Sequence, residues 1–583
     1  MNALTISTAI STGRVELVHS RQRSLFMARF RTLWIVAIFA LIASVALMRI
    51  AYLGVFQPAA GQTSMEEALL PSRGDITDRN GTPLALAFPA YALWYNPSAL
   101  GESGSPLVRA PEAVAAQLAA IFPDLDQGQL TRQLARGRAG YLRRRVLPEE
   151  ANRVHEIGEI ALELPRETDR HYPQGSMAAH VLGYVDMDGT GQVGMEAVLN
   201  DQLLDPAMRG TPAALSIDMR VQGALEDELL RGMLSVNAVG AAGIVLDVDT
   251  GEVLALASLP EFDPNRIDEE GERNMFNRVT NQVYELGSTF KPLTVAAAID
   301  AGVITDLSKR YQADRPLELG GFRIRDSHVI APTLNVPQTL IHSSNIVTAQ
   351  IVDEMGAQTL QRSMRDLGMH ERPYIELPAR GMPLWEAGDW GRLRAMTVGY
   401  GHGVSVTPLH LASAYAAMVN GGIWRPATLL RIEPGAAPKG RRVFKASTSA
   451  RMNQLLRMIA VYGTGRNADA PGFRVGGKTG SAEKAAGGGY QRTTLVSTFA
   501  AVFPMDSPRF VIIAMLDEPQ GTAATSFQRT ASWNAAPIVG RLVPRIGPML
   551  GVLPDESRDI DLSDLLPLVA LEATNQGATG DGG

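Results

Sequence analysis

Hydrophobic positions along this chain fall into three patterns. Residues Leu33 to Phe56 read LWIVAIFALIASVALMRIAYLGVF, an apolar run broken by a single charge, Arg49. Such a run spans a bilayer core of about 30 Å, which predicts one transmembrane anchor at 33–56 with Arg49 snorkelling near its outer end. A buried core helix fits less well, because polar faces normally interrupt one. Arg14, Arg21, Arg23, Arg29 and Arg31 precede the run, opposed only by Glu16. The positive-inside rule then places an arm of residues 1–32 in the cytoplasm and the rest beyond the membrane. The competing reading is a cleaved signal peptide, since Ser44-Val45-Ala46 loosely resembles a cleavage site; that site falls inside the run, which is long for a signal core.

The second pattern mixes short strands and helices. Gln57 to Ser64 is small and polar, a linker composition. The stretch Arg73-Gly74-Asp75-Ile76-Thr77-Asp78-Arg79-Asn80-Gly81 carries an Asn-Gly turn signal beside apolar residues and reads as a strand entering a hairpin. Glu112 to Leu164 shows helical periodicity, and its Arg143, Arg144 and Arg145 read as a solvated or salt-bridged face. A separate module of mixed strands and helices is therefore expected over 57–234, and the family likeness given below implies that it is non-catalytic.

The third pattern begins near Ser235. Gly243–Val248 and Val253–Ser258 flank Asp249-Thr250-Gly251, a strong hairpin signal. Helical stretches dominate from Ser288 to Gly421, and strands return at 473–481, 496–503 and 510–516. Late strands that must rejoin an early hairpin predict an α+β domain at 235–550, an antiparallel sheet with helices packed on it. After Val552 the chain turns acidic and ends NQGATGDGG, so 551–583 is expected to be a disordered tail.

Composition narrows the chemistry. The 583 residues carry 54 basic and 60 acidic side chains, a net charge of −6, with 45% hydrophobic and 20% charged residues. That suits packed globular structure rather than disorder, and it lacks the basic balance of a nucleic-acid binder. The absence of cysteine excludes disulfides, Cys-ligated zinc, iron–sulfur clusters and a thiol nucleophile. The nine histidines show no metal spacing, and no Gly-rich phosphate loop precedes a helix, so neither metal nor cofactor is expected. Asp186 to Gly191 starts like a calcium loop, but Ala197 stands where the bidentate Glu belongs, and a turn is the better reading.

Candidate chemistry starts at Glu285-Leu286-Gly287-Ser288-Thr289-Phe290-Lys291-Pro292, which precedes the helix-forming LTVAAAIDAG. Pro suits a first helical turn, so Ser288 is expected at a helix N-terminus with Lys291 on the same face. A serine hydroxyl attacks only when a base takes its proton, and a lysine serves if desolvation or a second cation lowers its pKa. Ser343-Ser344-Asn345 adds a hydroxyl able to relay a proton and an amide able to hold a substrate carbonyl or Lys291. Gly477-Lys478-Thr479-Gly480-Ser481 lies on an expected strand, where a cation and two hydroxyls can bind a carboxylate and Gly480 allows close approach. Each motif alone is weak, a cap, a turn or a strand end. The order S-x-x-K, S-x-N, K-T-G is the combination of class A β-lactamases and penicillin-binding proteins.

On these motifs the chain resembles the class B penicillin-binding proteins, most of all their cell-division (septal) peptidoglycan D,D-transpeptidases. Arg73 to Gly81, Arg170-His171-Tyr172-Pro173 and Gly191 to Glu196 are similar to signatures of that family's non-catalytic module. Gly399 to Pro408 and Gly487-Gly488-Gly489-Tyr490 are similar to its division branch. The likeness runs from the anchor to about Leu542. It implies a five-stranded sheet with helices on both faces and a stem peptide ending in D-Ala-D-Ala as substrate. By residue, it implies that Ser288 attacks the penultimate D-Ala carbonyl, Lys291 takes its proton, Ser343 relays that proton to the leaving D-Ala and Asn345 orients the substrate. Lys478 would fix the terminal carboxylate with Thr479 and Ser481, Gly480 admitting the substrate backbone. Backbone N–H groups of Ser288 and Ser481 would form the oxyanion hole, and an amine from a second stem peptide would resolve the ester. Implied partners are lipid-linked precursor and glycan strands, β-lactams as covalent inhibitors, and membrane division proteins including a glycosyltransferase, at a cell inner membrane with a periplasmic catalytic domain. Two departures stand out: Ser481 replaces the family's usual Thr and Leu286 a frequent Pro, and both leave the reaction type intact.

Rivals remain on the same pattern. A D,D-carboxypeptidase or β-lactamase would use water in place of the amine, although the large module and anchor argue against a β-lactamase. An elongation transpeptidase differs only in the machinery it joins. A β-lactam sensor or divisome scaffold is the non-enzymatic alternative; the intact motif residues oppose a dead scaffold, and a single span with a short arm is unusual for a sensor.

Overall fold

Apolar runs resolve into one lone helix and one folded body. The computed structural model describes residues 25–49, 52, 73–99, 107–208, 210–486 and 489–570. Helix α1 (Leu25–Arg49) is long and apolar enough to cross a membrane, and none of it is buried by protein. It begins at Leu25 rather than Leu33, because Phe26, Met27 and Phe30 extend the apolar surface past Arg29 and Arg31 without breaking the backbone ladder. Residues 50, 51 and 53–56 of the expected anchor lie outside the described residues, as do Arg14, Glu16, Arg21 and Arg23.

The described part of the body starts at Arg73. Its first part contains β1 (Ile76–Thr77), β2 (Pro83–Tyr95), α2 (Pro111–Ile121), α3 (Gln127–Ala135), β3 (Gly140–Val146), α4 (Pro148–Ile157), β4 (Leu162–Glu163), β5 (Arg166–His171) and β6 (Ala213–Ala214). The long β2 pairs antiparallel with β1, β3, β4 and β5, and β1 pairs parallel with β6. The helical pattern expected across 112–164 is therefore interrupted: Arg143, Arg144 and Arg145 lie on strand β3. Pairing with β2 overrides local propensity there, and the three guanidiniums reach Asp124, Glu167 and Asp169 in turn.

Three sequence signatures meet inside this module. Glu196 is fully buried and accepts Arg73 Nη2 at 2.6 Å and Arg170 Nε at 2.6 Å, while Arg170 Nη1 donates to Gly74 O at 2.8 Å. Two buried cations on one carboxylate persist only when the geometry is well satisfied, so removing Glu196 would strand both. The Asp186 segment is a turn, its Oδ1 accepting Asp188 N and Thr190 N at 2.9 Å each.

The second part is organised by one sheet. Its elements are α5 (Met219–Ser235), β7 (Gly240–Asp247), β8 (Val253–Leu259), α6 (Lys291–Asp300), α7 (Val336–His342), α8 (Asn345–Met355), α9 (Pro408–Val419), α10 (Ala446–Tyr462), β9 (Gly476–Ala486), β10 (Gly489–Phe503), β11 (Phe510–Asp517) and α11 (Ala535–Ile546). Strand order is β9-β10-β11-β7-β8, antiparallel throughout, so the late strands do rejoin the early hairpin. Along β11, Phe510, Ile512, Ala514 and Leu516 enter one core with α5 and α11, whereas Val511, Ile513 and Met515 enter another with α6, α8, α9 and α10. Both faces are covered, which is why these strands read as unbroken apolar runs.

Two boundaries differ from the sequence reading. Helix α5 packs with the catalytic sheet, its Val221, Leu225 and Leu229 sharing a core with Ile538 and Val539, so the second part begins before Ser235. The expected disordered tail is ordered to Ala570. Leu565 is buried, Asp559 pairs with Arg457 and Asp564 with Arg451, and Leu568 O accepts Asn335 Nδ2 and Gln338 Nε2 at 3.0 and 3.1 Å. Acidic residues that look solvated in sequence find fixed arginines on α10, and that pairing anchors the strap. Residues 571–583 lie outside the described residues.

Candidate active site

Ser288 sits in a 3₁₀ turn (Gly287–Phe290) that runs directly into α6, with Lys291 as the first α-helical residue and Pro292 in the first turn. Several elements hold the turn. Thr289 Oγ1 donates to Leu286 O at 2.9 Å, and the fully buried Tyr415 of α9 donates its hydroxyl to Thr289 O at 2.7 Å. Gly287 N donates to Gly401 O at 3.1 Å, and Gly403 N to Glu285 Oε1 at 2.9 Å. Gly401 has φ +90°, and a Cβ there would lie 1.8 Å from Gly287 O, so only glycine fits. The Gly399–Pro408 segment thus serves as the back wall of the nucleophile turn.

Ser343 comes from the junction of two helices. Helix α7 is started by an Asn335/Gln338 capping box and ends at His342, and Ser344 caps α8 by accepting from Val347 N. Between them Ser343 adopts a left-handed conformation, φ 64° and ψ 43°. A non-glycine residue in that region is strained and persists where surrounding structure imposes it. The consequence is that both its carbonyl and its hydroxyl face Lys291: Nζ donates to Ser343 O in a short contact and to Ser343 Oγ at 3.0 Å.

Strand β9 supplies the third side. Lys478 is fully buried, and its Nζ donates to Ser343 Oγ at 3.0 Å and to Thr479 O at 2.9 Å. Thr479 Oγ1 shares a 2.7 Å hydrogen bond with Thr464 Oγ1. Burial brings the pKa of Lys291 down to about 7, the Asp326 carboxylate opposing the shift. Burial also pulls Lys478 well below its ordinary range, and the Lys291 charge pulls it further. Two ammoniums on one hydroxyl repel each other, so a neutral amine is readily available as a base. His402 is held neutral, near pKa 4, by burial and by Lys291.

Of the eight residues read from sequence, Lys291, Ser343, Lys478 and Thr479 form one hydrogen-bonded cluster, with Ser288 one helical turn before Lys291. Three others make contacts outside that cluster. Asn345 Nδ2 donates to Arg325 O at 3.0 Å. A Cβ on Gly480 would lie 2.3 Å from Leu286 O, so its missing side chain admits the nucleophile turn. Ser481 Oγ accepts from Ala531 N at 3.0 Å. Gly487 and Gly488 lie outside the described residues.

Sequence reasoning missed Asp326, Thr464 and Tyr415. Asp326 accepts Ser344 Oγ at 2.6 Å together with the amides of Asn345 and Ile346, fixing the start of α8 and biasing Lys291 toward its charged form. No local pattern marks any of the three. Among the described residues no cluster of His, Asp or Glu could hold a metal ion.

A buried lysine pair around a strained serine, with Ser288 in the turn one step before Lys291, fits a serine acyltransferase site, and comparison with known proteins identifies its family. Residues 241–542 match the penicillin binding protein transpeptidase domain and residues 68–204 the penicillin-binding protein dimerisation domain. The chain belongs to the penicillin-binding protein transpeptidase family. It is 38% identical over 491 residues to a probable peptidoglycan D,D-transpeptidase FtsI of Caulobacter vibrioides, covering 82% of each chain. It is 28% identical to the peptidoglycan D,D-transpeptidase FtsI of Escherichia coli K12, covering 83% of this chain and 84% of that protein. Its fold matches penicillin binding protein 3 of Mycobacterium tuberculosis complexed with aztreonam, with TM-score 0.65 and 23% identity over 83% of this chain and 98% of that one.

Proposed function

We propose that this chain is a membrane-anchored peptidoglycan D,D-transpeptidase that crosslinks stem peptides at the division septum and is acylated by β-lactams on Ser288. The observation that carries this reading is the shared hydrogen bonding of Lys291 and Lys478 to Ser343 Oγ, which links a base directly to a relay hydroxyl. Neutral Lys291 takes the Ser288 proton as Oγ attacks the penultimate D-Ala carbonyl. Backbone N–H groups of Ser288 and Ser481 receive the oxyanion, a contribution that in other acyl transferases amounts to about 3 kcal/mol per donor. The proton passes through Ser343 to the leaving D-Ala nitrogen, and Lys478 and Thr479 hold the D-Ala carboxylate. An amine of a second stem peptide then resolves the ester.

The septal assignment rests on likeness to the FtsI proteins. The reading also places α1 in an inner membrane with its N-terminus cytoplasmic, and membrane division proteins, a glycosyltransferase among them, against the module from Arg73 to Glu196. Crosslinking through that surface and through α1 tests the partnership, and its absence there counts against it. The chemistry is tested by intact-protein mass spectrometry with a penicillin. A stoichiometric, slowly lost adduct that disappears in Ser288→Ala supports the transpeptidase; rapid loss with turnover indicates a hydrolase, and no adduct removes the reading.

A further inference from the structure

Beside the lysine–serine cluster lies an open cavity of about 650 Å³, within the usual range for ligand sites. His342, which immediately precedes Ser343, and Thr464, whose hydroxyl bonds Thr479, both line it. Its outer walls are Tyr462 and Trp533, 43% and 44% exposed, and the exposed Arg466. Ser532 Oγ donates to Thr464 O at 2.8 Å, tying the wall that carries Trp533 to the wall that carries Thr464. The proposed acyl-enzyme chemistry does not use this cavity.

We propose that this cavity receives the acceptor, the amine-bearing stem peptide that resolves the Ser288 ester. The inference rests on the transpeptidase reading and deepens it. Attack of an amine on the ester is the reverse of expulsion of the D-Ala amine, so the acceptor nitrogen enters where the D-Ala nitrogen left. The C–N bond forms as the bond from the acyl carbon to Ser288 Oγ breaks; the amine's proton passes through Ser343 and Lys291, and Oγ is reprotonated. Lys478 and Thr479 are still in place at that moment. They select an acceptor whose reacting amine sits on a carbon that also carries a carboxylate, the same head as D-Ala. What differs is everything beyond that carbon. D-Ala offers a methyl group, the acceptor a longer chain, and past Thr479 the chain meets Thr464 and then the cavity. Tyr462 and Trp533 present flat apolar surface to it, and Arg466 a guanidinium suited to a second carboxylate.

The test uses the full chain in detergent with a D-Ala thioester donor. Hydrolysis and transfer products are counted with two acceptors, D-alanine, which fills only the head position, and D-α-aminoadipate, whose side chain carries a carboxylate toward Arg466. Trp533→Ala is expected to lower the ratio of transfer to hydrolysis for D-α-aminoadipate by about tenfold, and Arg466→Ala by about threefold. Transfer to D-alanine and the rate of acylation by penicillin stay unchanged in both. An unchanged ratio with acylation intact overturns the proposal. Should Trp533→Ala damage acylation, the exposed Arg466→Ala decides alone. Failure of the unmodified chain to acylate would instead defeat the transpeptidase reading itself.

Discussion

Lys291 Nζ and Lys478 Nζ both lie 3.0 Å from Ser343 Oγ, one at the start of a helix and the other near the start of a strand. A hydroxyl that accepts from two cations has both lone pairs engaged, so its own proton is free to be passed on. Because burial sets the Lys291 pKa at about 7, the fraction of neutral base grows as pH rises through neutrality. The second-order rate of penicillin acylation is therefore expected to increase about fivefold from pH 6 to pH 7 and to level off above about 8. A flat profile across that range would show that Lys291 is not the base.

The same burial has a cost in stability. In the unfolded chain Lys291 keeps its ordinary pKa of 10.5, so between about 7 and 10.5 the unfolded state holds a proton that the folded state has released. Unfolding free energy then rises with pH across that window. Lys291→Met is expected to abolish acylation while raising Tm near pH 6, with the gain shrinking as pH approaches 10, as thermal unfolding at several pH values would show.

Ser343→Ala keeps the backbone carbonyl that Lys291 contacts but removes the relay hydroxyl. Acylation by penicillin is expected to fall by about 10²- to 10⁴-fold, the usual weight of a placed proton-transfer group, with Tm nearly unchanged. Stopped-flow acylation beside a thermal melt separates the two effects.

The C-terminal strap is expected to be structural. A chain ending at Gly551 loses buried Leu565, the Asp559 and Asp564 ion pairs, and the Leu568 carbonyl held by Asn335 and Gln338. Burial of one leucine alone contributes about 2 kcal/mol. Tm should drop by several degrees, and acylation should slow because the capping box of α7, the helix that ends at Ser343, loses a partner. Removal of residues 571–583 alone serves as the control.

Between module and sheet, Glu226 and Glu261 approach each other under burial. Glu226 Oε1 accepts Ala178 N at 2.9 Å and Gln222 Nε2 at 2.6 Å, and Ser176 Oγ donates to Glu261 Oε2 at 2.6 Å. Burial first, and the Glu261 charge second, raise the Glu226 pKa. A raised carboxyl pKa means that the folded state holds the proton longer, so its stabilisation is full at acid pH and lost as pH rises through the folded value. Glu226→Gln is thus expected to gain Tm over the unmodified chain as pH goes from 5 to 9, measured by calorimetry.

Period and spacing made much of this legible. An uninterrupted apolar run announces a membrane helix, and fully buried strands announce themselves because both their faces meet helices. The spacing of Ser288 and Lys291 puts both in one turn, whereas Ser343 and Lys478 were legible only through the order of the three motifs. Long-range partners leave no such trace. Asp326, Thr464 and Tyr415 reach the site across loops and helices whose approach only packing sets, and Gly480 turned out to admit Leu286 O because two distant segments abut. Arg143 to Arg145 took a strand because β2 offered a ladder, and the acidic strap took order because Arg451 and Arg457 awaited it on α10. Local chemistry is written in neighbouring residues; electrostatics and close approach belong to pairs that meet only once the chain has folded.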